Sequence, residues 1–214
     1  MTIDKNNLLD SILASISRID FVKSTDIPNI DLYMDQVTSF MEKELKSTKR
    51  NDDDKVLTKT MINNYAKNDL LPAPIKKKYS KEHLLLLTFI YYFKNIMSMK
   101  DIETLLKPIT EKYFQSDSDI NIARIYDEVC AFEKERTTLL QKDIELMYHN
   151  SMETFADINE DDREYLQFFS FICTLSLDVY VKQLLIEKLI DATSIPREDG
   201  KEVEKEKKEK KKKE

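Results

Sequence analysis

Apolar residues recur at helical spacing along most of this chain, separated by short polar breaks. Leu8, Leu9, Ile12, Leu13, Ile16 and Ile19 fall at i, i+3 and i+4, which predicts an amphipathic helix over 8–19. A connector over 21–28 follows. A second helix is expected from about Asp31, with Leu32, Val37, Phe40, Met41 and Leu45 on its apolar side. Residues 46–55 include Asn51-Asp52-Asp53-Asp54 and read as a solvated loop of a composition that favours disorder. Three aspartates without bracketing ligands or a Gly turn make a polar linker rather than a cation site.

Thr58 predicts the next helix start, because its hydroxyl can accept from an early N–H. That helix should run to about Asn68, with Ile62, Tyr65 and Ala66 inward and Thr60, Asn63, Asn64 and Lys67 outward. Pro72 and Pro74 then force an extended passage. A helix over 81–95 carries the run 84–93, apolar on all sides and therefore expected to be buried. The run is too short for a bilayer, which takes about 20 residues. Ser98-Met99-Lys100-Asp101 resembles a capping box and opens a helix expected to end before Pro108.

Two long helices are expected after that. Asp117 or Ser118 caps one reaching about His149, with Ile122, Ile125, Val129, Phe132, Leu139, Leu140 and Met147 recurring and Arg136 interrupting the stripe. Asn159 caps the other, which runs to about Asp191. Its stretch 167–177 is uncharged, but Asp178 and Lys182 break the run before a membrane-spanning length accumulates. A central bundle helix or a dimer seam is the expectation.

Composition narrows the class. The chain of 214 residues has a single Gly, Gly200. Hairpins, αL turns and phosphate-cradling loops favour Gly, so an all-α fold is expected, and the Walker-type and Rossmann-type fingerprints are absent. Cys130 and Cys173 are isolated and form no disulfide framework. The first residues lack a basic and then apolar leader pattern, so a cytoplasmic location is expected. The net charge of −6 hides an uneven distribution. Residues 57–83 hold six lysines against Asp69 and Glu82, and residues 201–214 hold eight lysines against five glutamates. The rest is strongly acidic, and a polyanion docks by local sign.

No catalytic constellation emerges. His83 and His149 sit in no ligand spacing, and the cysteines lie on apolar stretches with no adjacent base. Glu160, Asp161 and Asp162 suit the first turn of a helix, where negative charge is stabilising. No enzyme activity, cofactor or metal is expected. Candidate contacts for duplex DNA are Thr60, Asn63, Asn64 and Lys67 on one helix face, then Lys76, Lys77, Lys78 and Tyr79 in a basic turn. Asn can bond bidentately to adenine, and Lys can reach guanine or a phosphate. Tyr79 has two possible roles, donating to a phosphate or packing under the turn.

The ordered series Ile62-Asn63-Asn64-Tyr65-Ala66-Lys67-Asn68-Asp69-Leu70-Leu71-Pro72, Lys77-Lys78-Tyr79-Ser80, His83-Leu84 and Ser98-Met99-Lys100-Asp101-Ile102 resembles the DNA-binding domain of MerR-type regulators. With Asp31-Leu32-Tyr33-Met34-Asp35-Gln36-Val37 upstream, the stretch from Ile27 to Pro108 is similar to the domain of unknown function 1836. The resemblance implies a winged helix-turn-helix and a role in transcription. The Arg-Tyr pair of the MerR recognition helix falls on Asn63 and Asn64, and its Gly falls on Asp69. No cysteine cluster for metal sensing accompanies them.

The expected organisation is therefore an N-terminal helix (1–26), a MerR-like winged helix-turn-helix (27–110), a C-terminal helical bundle or antiparallel helical pair (111–195) and a disordered charged tail (196–214). The C-terminal helices are expected to form a homodimer, since one small module contacts too few base pairs and paired half-sites remedy that. The competing expectation is a helical interaction adaptor whose degenerate helix-turn-helix binds no DNA.

Overall fold

The computed structural model describes residues 7–17, 21–131 and 133–194. The fold is mostly helical, and several helix starts are explained by the residue before them. The helices are α1 (Leu8–Ile16), α2 (Met34–Glu44), α3 (Lys59–Lys67), α4 (Lys81–Phe93), α5 (Met99–Tyr113), α6 (Ile122–Cys130), α7 (Glu133–Met152) and α8 (Glu160–Ser194). Thr58 accepts from Met61 N at 3.2 Å, Ser98 from Asp101 N at 3.2 Å and Asn159 from Asp162 N at 3.1 Å. These are the caps the sequence predicts.

Two short strands, β1 (Leu32–Tyr33) and β2 (Lys78–Tyr79), pair antiparallel with Leu32 opposite Tyr79. A further bridge joins Ile75 to Lys78. The expectation that a chain so poor in Gly avoids hairpins is thus corrected: Lys76 and Lys77 take φ of 50° and 63°, the left-handed region that Gly usually supplies.

Three further expectations change for reasons of packing. Pro108 does not end α5, which runs through it to Tyr113. Ile102 and Leu106 are buried before it, and Ile109 and Tyr113 pack on the same core after it, so tertiary contact outweighs the lost backbone bond. The single long helix expected over 117–149 is two helices. α6, capped by Asn121 through Arg124 N at 3.0 Å, packs on α4, whereas α7 packs on α1 and α8; one straight rod cannot serve both. Residues 46–55 are an ordered connection. Lys49 Nζ donates to Glu42 Oε1 at 2.5 Å and to the Asp52 carbonyl at 3.0 Å, and Val56 N donates to Glu42 Oε2 at 3.3 Å. The Lys49 ammonium holds the Glu42 carboxyl below the usual carboxylate range.

Most of the burial lies in one core built by α2, α3, α4, α5, α6 and the strands. It includes Val37, Met41, Ile62, Leu84 to Leu87, Ile90, Ile102, Ile122 and Tyr126. The core therefore continues past residue 110 into α6. The small second cluster joins Ile16 of α1, Ile144 of α7 and Phe171 of α8. The N-terminal helix packs with the C-terminal pair rather than standing alone.

α7 and α8 form an antiparallel hairpin. Gln167 Nε2 donates to the Met152 carbonyl at 2.5 Å, and Tyr148 meets Phe171 edge-on at 5.5 Å. Of the two expectations for α8, a central bundle helix or a dimer seam, the first is corrected: among its described side chains only Phe171 and Ile190 are buried. By length and composition alone it is long and apolar enough to cross a membrane. Asp178 and Lys182, which interrupt its apolar run, pair with each other at 2.5 Å. The charged tail over 196–214 lies outside the described residues.

Candidate nucleic-acid interface

The outer face of α3 is a consequence of its inner one. Ile62 (0% exposed) and Tyr65 (6%) fix the helix on the core. Residues 60, 63, 64 and 67 are then turned outward by the 3.6-residue period. Thr60, Asn63, Asn64 and Lys67 are all exposed. The helix ends in a Schellman arrangement: Asp69 takes φ of 58°, and Leu70 N donates back to the Tyr65 carbonyl at 2.9 Å. Leu70 and Leu71 are then driven into the core, which starts the passage toward the basic turn.

Asn64 also lines a cavity of about 450 Å³ between α3 and α5, together with Met61, Asn68, Met99, Lys100 and Glu103. Asn63 and Asn64 thus serve different surfaces, Asn64 opening onto the groove beside α5. Lys100 on its rim is not among the residues expected at the site; the sequence marks only the Ser98 cap of the helix that carries it.

The basic turn is a two-residue hairpin. Lys78 N donates to the Ile75 carbonyl at 2.9 Å across Lys76 and Lys77. Positive φ at both central residues marks a type I′ turn. Lys76 and Lys77 are exposed at its tip, and Lys78 is half-buried with Nζ 5.4 Å from the Tyr33 ring. Tyr79 is 3% exposed, and burial pushes its phenol pKa up. Of its two expected roles the structure shows the second: it packs under the turn.

His83 supports Tyr79 from below. The imidazole is 1% exposed and sits edge-on to Tyr79 at 5.4 Å and to Phe114 at 4.8 Å. Its Nδ1 accepts from Ser80 N at 3.0 Å and lies 2.8 Å from Ser80 Oγ, closing the first turn of α4. Burial lowers its pKa, with the Ala73 and Pro72 carbonyls and Asp31 opposing. Nε2 makes no hydrogen bond among the described residues, so those carbonyls are felt without reaching bonding geometry. The Ser80-x-x-His83 spacing was the signal for this role.

Two contacts tie the helix to the turn. Lys59, first residue of α3, pairs with Asp35 in the first turn of α2, and Lys78 lies over Tyr33, the residue that caps α2. The start of α3 and the stem of the hairpin therefore meet at the same end of α2. Tyr33 (54% exposed) and Asp35 belong to this surface but were not expected there. They lie in the segment 31–37, which carries the family resemblance but marks neither side chain as a contact.

No curated protein and no solved structure matches the chain. A family model does match, over residues 22–129, from the segment before β1 through α6. That match spans half of the chain and the whole surface just described, so the chain belongs to the domain of unknown function 1836 family (DUF1836).

Proposed function

We propose that this chain is a transcription regulator that binds duplex DNA through a MerR-like winged helix-turn-helix. In this reading α2 and α3 are the helix-turn-helix pair, α3 enters the major groove, and the hairpin over 75–78 is the wing. Asn63 or Asn64 would read adenine, Lys67 guanine or a phosphate, and Thr60 a nearby edge or backbone oxygen. Lys76, Lys77 and Lys78 contact phosphates.

The observation that carries this reading is the tip of the hairpin. Two consecutive lysines are held at positive φ, where non-Gly residues cost about 1–2 kcal/mol each. A turn kept only for connection gains nothing from that strain. A turn that must present two ammonium groups to a polyanion does. Lys78 and the exposed face of α3, joined through α2, extend the basic surface away from the tip.

The test is binding of random-sequence duplex across a salt series, by fluorescence anisotropy. The expected result is an affinity that falls steeply with salt. Changing Lys76, Lys77 and Lys78 together to Ala should lower the slope of log K against log [salt] by up to about 2.7, or about 0.9 per lost phosphate contact. Absent binding, or a slope unchanged by the triple substitution, rejects the reading. The interaction-adaptor alternative is favoured by a separate observation, the exposed apolar side chains of α7 and α8.

A further inference from the structure

Among the described residues, 22 large apolar side chains are exposed, and 15 of them lie between Leu139 and Leu189. Eleven of the 15 are on α8, from Tyr165 at 70% exposed to Leu184 at 38%. Five of the fifteen are aromatic, at about 150–250 Å² each, and ten are aliphatic, at roughly 100 Å² each, so half-exposure leaves on the order of 1,000 Å² of apolar surface. A monomer rarely shows more than a few hundred Å² in one patch, and a standard interface takes about 800 Å² per partner. This face is large enough to be a whole interface.

Charge and packing narrow the occupant. α8 is not a projecting anchor. Gln167, Phe171, Leu175, Ile186 and Ile190 fix one side of it to the rest of the chain along nearly its whole length. Insertion into a bilayer would strip those contacts. From Tyr165 to Ile186 its only charges are Asp178 and Lys182, which neutralise each other. The start of α8 is strongly acidic, with Glu160, Asp161, Asp162 and Glu164 against Arg163, while its end carries Glu187, Lys188 and Asp191. A parallel partner would set the two acidic starts side by side, and an antiparallel one separates them.

We infer that a second copy of this chain covers this face, with the two α7–α8 hairpins packed antiparallel about a two-fold axis. A two-fold interface uses the same patch on both partners, and with antiparallel helices it keeps the two acidic starts at opposite ends. Phe169, Leu177, Tyr180 and Leu184 lie on the far side of α8 from Phe171 and form the centre of the contact. The result is a four-helix unit that holds two copies of the N-terminal core at a fixed separation. Dimerisation stands independently of DNA binding.

Sedimentation equilibrium of the full chain, without DNA or detergent, reads the mass directly. The expected value is twice the 25.3 kDa of one chain. Changing Leu177→Glu and Leu184→Glu should raise the dimer dissociation constant at least ~100-fold, because two carboxylates would be buried unpaired in each half. The helical circular dichroism of the dissociated chain should not change, since both side chains are exposed in the protomer. Spin labels at Asp161→Cys, with Cys130 and Cys173 changed to Ser, read the orientation. Antiparallel helices of this length place the labels about 40–50 Å apart, parallel ones under about 20 Å. A monomeric wild type, a dimer that survives both substitutions, or a short label distance overturns the inference. So does a monomer that floats with phosphatidylcholine–phosphatidylglycerol vesicles. The Lys76, Lys77 and Lys78 triple variant should remain dimeric, so failure of DNA binding and failure of dimerisation are read separately.

Discussion

α4 and α8 are similarly apolar in sequence and opposite in environment. In α4, every residue from His83 to Ile90 is buried, enclosed by α2, α3, α5 and α6. In α8, the run from Tyr165 to Leu189 has one buried residue, Phe171. A helix apolar on all sides needs cover on all sides. α4 finds that cover within its own chain, while α8 finds it along one stripe only. Apolarity therefore measures how much cover a helix needs, and says nothing about which molecule provides it.

The largest effect expected from this contrast is on stability. Leu86 is fully buried and Leu185 is 57% exposed, so the same truncation should have unequal costs. Leu86→Ala should lose about 2–5 kcal/mol through lost transfer energy and the cavity left behind. Leu185→Ala should lose less than about 0.5 kcal/mol when urea unfolding is followed at a concentration where the chain is monomeric. Equal losses would mean that α8 is covered within its own protomer, which would dissolve the contrast.

How far the sequence reveals this architecture follows from the range of the forces involved. Caps are local, and Thr58, Ser98 and Asn159 act as their spacing indicates. The αL position at Asp69 was legible from where the family's Gly falls, because αL geometry belongs to the backbone. Pro108 inside α5 and the break between α6 and α7 were not legible. Each is decided by which surface a helix must reach, and that depends on residues far along the chain. The exposure of Thr60, Asn63, Asn64 and Lys67 could be read from helical period once Ile62 and Tyr65 were assigned inward. The burial of Tyr79 could not, because it depends on His83 and Phe114 converging beneath the hairpin.

The next effect separates stability from function within the N-terminal half itself. Changing Lys77→Gly removes a side chain from a position with φ of 63°. Thermal unfolding should show a gain of about 1 kcal/mol, the strain of a non-Gly residue in that region. The same substitution removes one phosphate contact, so duplex affinity should fall as stability rises. A variant that loses stability would show that the turn is not strained. One that keeps full affinity would remove Lys77 from the interface while leaving the α3 face to be tested alone.

The smallest effect concerns one proton and tests whether the hairpin is held from beneath. His83 is neutral in its buried site because burial lowers its pKa, so the unfolded chain binds a proton more readily than the folded one. Stability from this group is complete above the unfolded value of about 6.5 and is lost as pH falls from there through the lower folded value. The urea midpoint should therefore decline as pH falls below about 6.5. In His83→Gln the starting stability should be lower and that part of the decline absent, since an amide does not titrate in this range. The loss should also reach the hairpin, because Tyr79 packs on the ring and Ser80 bonds to it. Amide exchange at Lys78 should quicken in the substituted chain, while exchange in α7 and α8 stays unchanged. Quickening in both places would mean that the core around α4 and the C-terminal hairpin open as one unit, making their different burial a difference of surface rather than of stability.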